Sequence, residues 1–288
     1  MAPMRYGVTI FPTDLSIGIV ELARACEERG LDSVYAPEHT HIPTSRRTPW
    51  PVAPDRPIDE KYKRSLDPLV ALAAAAAVTT RLRLGTGILL VAQRDPIVTA
   101  KALASIDHVS GGRLVVGIGF GWNEDEMSHH GVEYRSRRDH GREHLLAMRR
   151  IWEDDEAAFD GEFVRFDASW SWPKPVQSPL PVLVGGAAGP KLFHHIAEYA
   201  QGWIPIGGSG LREQLPRLRE AVAEAGRDPD ALEIAPQAVQ PEPGKLDYYE
   251  TLGVTEVVFD LPAAPAEKVL PTLDRYAALI ADRERVTR

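Results

Sequence analysis

The sequence predicts an α/β chain folded as a (β/α)8 TIM barrel, with insertions after strands two and four. Three observations lead there. Short apolar runs alternate with amphipathic helical patterns, and such alternation favours a parallel sheet wrapped by helices. Eight such runs occur, the number that closes a barrel. The 288 residues, 44% of them hydrophobic, suffice for one core, so residues 1–288 read as a single domain.

The elements follow in order. YGVTIF (6–11) is strand one, and IGIVELARACEERG (17–30) is a helix closed by Gly30. SVYAP (33–37) is strand two. A segment dense in proline and charge then runs over 40–65, long enough to act as a lid at the barrel mouth. DPLVALAAAAAVT (67–79) opens with Asp67 as N-cap and Pro68 in the first helical position. RLRLGTGILL (81–90) is strand three, DPIVTAKALASIDHVS (95–110) repeats the Asp-Pro start, and RLVVGIGFG (113–121) is strand four. A polar helix covers about 136–154, and the aromatic-rich stretch 159–175 reads as a hairpin insertion. PVLVGG (181–186), GWIPIGG (202–208), ALEIAPQAV (231–239) and VTEVVFDL (254–261) are strands five to eight, with helices at 189–200, 209–226 and 265–282.

Composition narrows the function. A net charge of −8 argues against a general nucleic-acid binder. The single cysteine, Cys26, precludes an intrachain disulfide and fits a reducing cytoplasm. No signal-peptide pattern opens the sequence, and its most apolar run, 66–78, is too short to cross a bilayer. The expectation is a cytoplasmic protein without membrane or nucleic-acid partners.

The stretch VVGIGFGWNEDE (115–126) carries the most information. A dinucleotide fingerprint needs a glycine where Trp122 stands, and it belongs in a first βα turn. Read as a strand, the stretch puts Gly117, Gly119 and Gly121 on one face and Val116, Ile118 and Phe120 on the other. With the bulky face against the helices, the inner wall is left bare and a flat ring can lie on it. Gly85 and Gly87 repeat the feature in strand three. GGAAG (185–189) stands directly before a helix, whose free N–H groups suit a phosphate. Together these features imply a planar, phosphate-bearing cofactor.

APEHTHIP (36–43), LGTGILLVAQRDPIVTAKALASID (84–107), GGRLVVGIGFGWNEDEM (111–127), SWPKPVQ (171–177) and LVGGAAGPKL (183–192) together resemble the bacterial-luciferase-like superfamily. Within it, they resemble the oxidoreductases that use the deazaflavin coenzyme F420. The resemblance covers nearly the whole chain. It implies a cofactor at the C-terminal mouth and a homodimer. It implies a bulge with a non-proline cis peptide near Gly87–Ile88 backing the ring, so Thr86, Gly87 and Ile88 are expected to bind cofactor. Gly119, Trp122 and Asn123 are expected at the ring or ribityl chain, and Gly185, Gly186, Ala187 and Ala188 at the phosphate. His39, with Glu38 beside it, falls on the catalytic position. Glu38 either holds the His39 tautomer or pairs with a basic residue such as Arg94. The implied activity is hydride transfer between F420 and an unknown small organic substrate. The alternative is an FMNH2-dependent monooxygenase on the same fold. The second histidine and the tryptophan motif of the sugar-phosphate dehydrogenases are missing, so glucose 6-phosphate is not the expected substrate.

Other residues weigh less. Arg46, Arg47, Lys61, Lys63 and Arg64 are available to the polyglutamate tail of F420. His39 and His41 share a face of an extended segment, as in a metal site, but VLVGG and WIPIG supply no further ligands, so no metal is expected. His129 and His130 follow an acidic run, and His194 and His195 sit on a helix, where adjacent residues point in different directions, so paired metal ligation is not expected. Trp170 and Trp172 read as barrel packing or a subunit contact. A non-enzymatic flavin-storage protein is the remaining class.

Overall fold

The computed structural model describes residues 3–51 and 53–287. The chain runs β1 (Arg5–Thr9), α1 (Ile19–Glu28), β2 (Ser33–Ala36), α2 (Glu60–Arg64), α3 (Pro68–Ala76), β3 (Arg83–Thr86), β4 (Leu89–Leu90), α4 (Pro96–Ser110) and β5 (Leu114–Gly119). It continues through α5 (Glu124–His129), α6 (Arg137–Glu153), the hairpin β6 (Ala157–Asp160) and β7 (Arg165–Ser169), β8 (Val182–Gly185), α7 (Pro190–Tyr199) and β9 (Gly202–Ile204). It ends with α8 (Leu211–Glu224), β10 (Glu233–Ile234), α9 (Pro243–Thr251), β11 (Glu256–Asp260) and α10 (Ala266–Thr287).

The strands pair in the order β10-β9-β8-β5-β3-β2-β1-β11, with β4 also on β5. Every pairing outside the β6–β7 hairpin is parallel. A parallel bridge between Val239 and Phe259 brings the last two strands together, so the barrel is nearly closed. The helix starts read from sequence are present: the Asp67 carboxylate accepts from Leu69 N and Val70 N, and Asp95 accepts from Val98 N.

Alternation sorts the side chains into two cores. Leu114, Val116, Ile118 and Phe120 of the β5 segment pack outward with the helices. Tyr35, Val115, Leu183, Ile204, Ala235 and Val258 fill the barrel, with Ile88 against them. Charges close the N-terminal end: Arg83 reaches Glu256 at 2.9 Å and Glu233 at 3.1 Å.

Three readings change. Strand three is two pieces, β3 and β4, in place of one run over 81–90, and the cis peptide that the resemblance implied stands between them at Gly87–Ile88. Strand seven shrinks to Glu233–Ile234, and Gln237 and Val239 continue it as isolated bridges. Helices α2, α5 and α9 were not anticipated. They are short, and their weak periodicity was masked by charge and proline.

Candidate active site

The strand ends β2, β3–β4, β5 and β8 converge at the C-terminal mouth, where TIM barrels carry their chemistry. His39 follows β2. It is 9% exposed, and its Nδ1 lies 2.7 Å from Oε2 of Glu126, which is fully buried. The other oxygen of Glu126 accepts from Thr40 N at 3.0 Å. Among the described residues, no hydrogen bond reaches Nε2 of His39. A carboxylate on Nδ1 fixes the tautomer whose free lone pair is on Nε2. The ring is flanked by Tyr62 (centroids 5.2 Å) and by Trp122 (5.6 Å, edge-on).

Glu126 was missed from sequence. NEDE reads there only as charge hostile to phosphate. In the fold it begins α5, where acidic residues suit the N-terminal turn. Asp125 accepts from Arg47 and Thr48, while Glu126 turns inward beneath His39. The available signal was topological: an acid run after strand four stands two strands from a histidine after strand two.

Glu38 is not the partner of His39. Its Oε1 accepts from Arg94 Nε and its Oε2 from Leu90 N, both at 2.6 Å. Burial pushes its carboxyl above the ordinary range, and the Arg94 charge opposes that. With both oxygens engaged in fixing the turn after β4, Glu38 supports the bulge and does not face the reacting space.

The bare glycine wall also needs correction. Gly85, Gly117, Gly119 and Gly185 do face the interior, but the room they leave is filled. A Cβ on Gly85 would meet the Tyr35 ring at 2.1 Å. One on Gly117 would meet the Thr86 carbonyl oxygen at 2.1 Å, and those on Gly119 and Gly185 would meet the Ile88 side chain at 2.5 and 2.6 Å. The interruption at Gly87–Ile88 breaks the strand's alternation and lays Ile88 across the two glycines. Half-buried Ile88 therefore forms the surface there, with Gly119 and Gly185 underneath. Thr86 is covered as well: its hydroxyl donates to Gly117 O at 2.7 Å, and it is fully buried.

Among the described residues, three buried side-chain amides have unpartnered atoms: Gln93 at Oε1, Asn123 and Gln237. Asn123 is 1% exposed and is the N-cap of α5, yet its side chain makes no capping bond and neither Oδ1 nor Nδ2 has a partner. Gln237 Nε2 is also unpartnered, and its carboxamide lies against Gly87. Buried polar groups of this kind call for a hydrogen-bonding partner. After β8, Gly185 is buried while Ala187 and Ala188 are exposed. There α7 starts at Gly189 with no side-chain cap, leaving its first N–H groups open.

The cations of the 40–65 segment are mostly committed. Arg47 binds Asp125, Lys63 binds Glu60, and Arg64 binds Asp14 and Glu60. Arg46 lies 5.9 Å from the Trp122 ring and Lys61 5.1 Å from that of Phe11. His41 bonds His129, and Thr40 Oγ1 contacts both His41 and His130. Among the described residues, no group of three or more His, Cys, Asp and Glu is placed to hold a metal ion. No described helix is long and apolar enough to cross a membrane.

The profile of a family described as luciferase-like monooxygenase matches residues 17–240. The chain belongs to the luciferase-like family. This luciferase-like chain carries His39 at the mouth of its barrel. Over 280 residues it is 45% identical to an uncharacterised protein of Mycobacterium tuberculosis (strain H37Rv), covering 96% of this chain and 99% of that one. It is 30% identical over 226 residues to an F420-dependent glucose-6-phosphate dehydrogenase of Gordonia bronchialis, covering 75% of this chain and 61% of the relative. In fold it is similar to the crystal structure of a monooxygenase from Streptomyces bottropensis, with a TM-score of 0.78, 23% identity, and 98% and 100% of the two chains covered. Family membership makes it an enzyme of the oxidoreductase and monooxygenase type.

Proposed function

We propose that this luciferase-like enzyme binds F420 at the C-terminal mouth and catalyses hydride transfer between it and a small organic substrate. One observation carries the reading. His39 has a buried carboxylate on Nδ1 and, among the described residues, no hydrogen-bond partner on Nε2, at the mouth where Ile88 lies over two glycines. The donor set fits the cofactor. Ile88 and Gly87 would support the ring from one side. The unpartnered amides of Asn123 and Gln237 would supply hydrogen bonds that the fold leaves unmade. The open start of α7, from Gly185 to Ala188, would take the phosphate, as uncapped helix N-termini do.

When bound, the deazaflavin ring supplies the carbon that accepts or gives the hydride. The protein's part is proton handling and placement. Nε2 of His39 takes the proton from a substrate hydroxyl as it is oxidised, or returns it in the reverse direction, a role worth roughly 10²–10⁴-fold in rate. Glu126 keeps that nitrogen a base and stabilises the charged ring that results. Tyr62 and Trp122 exclude water from its flanks.

The second reading is an FMNH2-dependent monooxygenase. FMN shares the tricyclic ring and ribityl phosphate, so the same seat and cradle serve it. The 30% relationship to an F420-dependent enzyme favours the first. Titration of the purified chain with F420 and with FMN, oxidised and reduced, followed by fluorescence, tests the choice. Tight binding of reduced FMN with no response to F420 would overturn the first reading.

The working form is proposed to be a homodimer in the cytoplasm. The feature that supports a dimer is a set of exposed apolar side chains on and beside α4, Val98 and Val109 with Trp172 and Val176 of a later segment.

A further inference from the structure

The residues around His39 carry a second message, about what lies against it. Tyr62 projects from α2 in the 40–65 segment and is the hub of an aromatic cluster. Its ring is 4.7 Å from Phe11, 5.2 Å from His39, 5.7 Å from Trp50 and 6.4 Å from Trp122. These residues come from four places: the end of β1, the end of β2, the 40–65 segment and the end of β5. The segment is tied down on both sides. Ser65 Oγ donates to His39 O, Ser65 bridges Thr13, and Arg47 binds Asp125.

We infer that this cluster is the substrate-binding wall, that it takes an uncharged ring-bearing alcohol or ketone, and that Tyr62 is the residue that selects it. The inference rests on the proposed redox reading, whose cofactor side it leaves unchanged. The geometry supports an apolar, flat ligand: Tyr62 and Trp122 flank the His39 ring, Phe11 and Trp50 extend the aromatic surface from Tyr62, and rings prefer edge or offset contacts at such distances. The charges support an uncharged one. A phosphate group on the substrate, next to the His39 ring, would be favoured by free cations there. Near His39, Arg94 is held by Glu38 and Asp67, and Arg47 by Asp125. Arg46 donates to Thr48 O and faces Trp122. Lys61 lies over Phe11 and Tyr62, where its charge opposes the burial that pushes the Asp260 carboxyl up. The Tyr62 phenol is itself pushed above its ordinary range by burial, so it stays neutral and hydrogen-bond competent.

The test uses the full chain, with and without F420, and four probes: acetophenone, cyclohexanone, glycerol and glucose 6-phosphate. Binding is read by saturation-transfer NMR and by tryptophan fluorescence, since Trp50 and Trp122 line the wall. Acetophenone and cyclohexanone are expected to bind, and glycerol and glucose 6-phosphate are not. Tyr62→Ala is expected to weaken acetophenone by roughly tenfold, Tyr62→Phe to keep most of the affinity, and both to leave F420 binding as in the wild type. Preference for glucose 6-phosphate, or equal acetophenone binding by the wild type and Tyr62→Ala, would overturn the inference. Failure of F420 to bind would remove the redox reading alone, because the probes still report on the wall in the cofactor-free chain.

Discussion

Nδ1 of His39 and Oε2 of Glu126 stand 2.7 Å apart although 87 positions separate them in sequence. This pair converts a mouth histidine into an oriented base. Glu126 is fully buried, and its oxygens are held by His39 Nδ1, Thr40 N and the Thr40 hydroxyl.

The first prediction concerns that pair. His39→Ala is expected to lower kcat/KM by roughly 10²–10⁴-fold while F420 still binds. Glu126→Gln is expected to release the ring into a mixture of tautomers, visible as averaged 15N shifts of His39 in the cofactor-free protein. Full turnover by His39→Ala with weakened F420 binding would instead make the ring a cofactor contact.

The glycines give the second prediction, because they stand against different kinds of atom. A methyl on Gly117 would run into the Thr86 carbonyl oxygen, which is backbone and cannot yield. Gly117→Ala is therefore expected to cost about 1–3 kcal/mol or more of stability. A methyl on Gly119 would press on the end of the Ile88 side chain, which can turn away. Gly119→Ala is expected to fold with a near-normal denaturation midpoint and to bind F420 more weakly, because the seat has moved. Equal effects of the two substitutions on stability and on binding would show that Ile88 is not the seat.

These cases show how far the sequence could be read. The alternation of Val115, Gly117 and Gly119 with Val116, Ile118 and Phe120 is a local period, so the inward face was legible. What fills that face was not. Ile88 crosses it only because the chain breaks between β3 and β4, and a period-two rule puts residue 88 on the opposite side from 87. The pairing of His39 with Glu126 depends on strand order, which no local pattern encodes. Arg94 beside Glu38 was named from sequence as one of two options, and the structure pairs them.

Stability against pH supplies the third prediction. Burial, with the Arg138 charge nearby, pushes the His195 ring down to about 4. The unfolded chain holds that proton up to about pH 6.5. Below that value the unfolded state binds more protons, so the stabilisation is complete above pH 6.5 and is lost as the pH falls toward 4. A gap that wide corresponds to on the order of 3 kcal/mol. Urea midpoints should drop between pH 6.5 and 4.5, and His195→Gln should reduce the drop. An unchanged pH slope in His195→Gln would assign the effect to other groups.

The last prediction tests the proposed dimer. Lys101 Nζ donates to Trp172 O and His108 Nε2 contacts Lys174 O at 2.6 Å, so the segment after β7 lies along the outer face of α4. Val98 is 67% exposed, Val109 57%, Trp172 58% and Val176 52%, so four large apolar side chains stand exposed on or beside α4, interspersed with Lys101 and His108. Exposed apolar groups rimmed by polar residues mark contact surfaces. A stable interface buries about 800 Å² per partner, which several such side chains and their neighbours can supply. Sedimentation is expected to show about twice the 31.7 kDa chain mass. Val98→Asp combined with Trp172→Asp should shift it to the monomer, because each carboxylate would have to lose its water in the interface. These positions lie on the helix side, not at the mouth, so F420 binding by the doubly substituted chain should persist. A wild-type monomer at micromolar concentration, or a dimer unaffected by both charges, would remove this face from consideration.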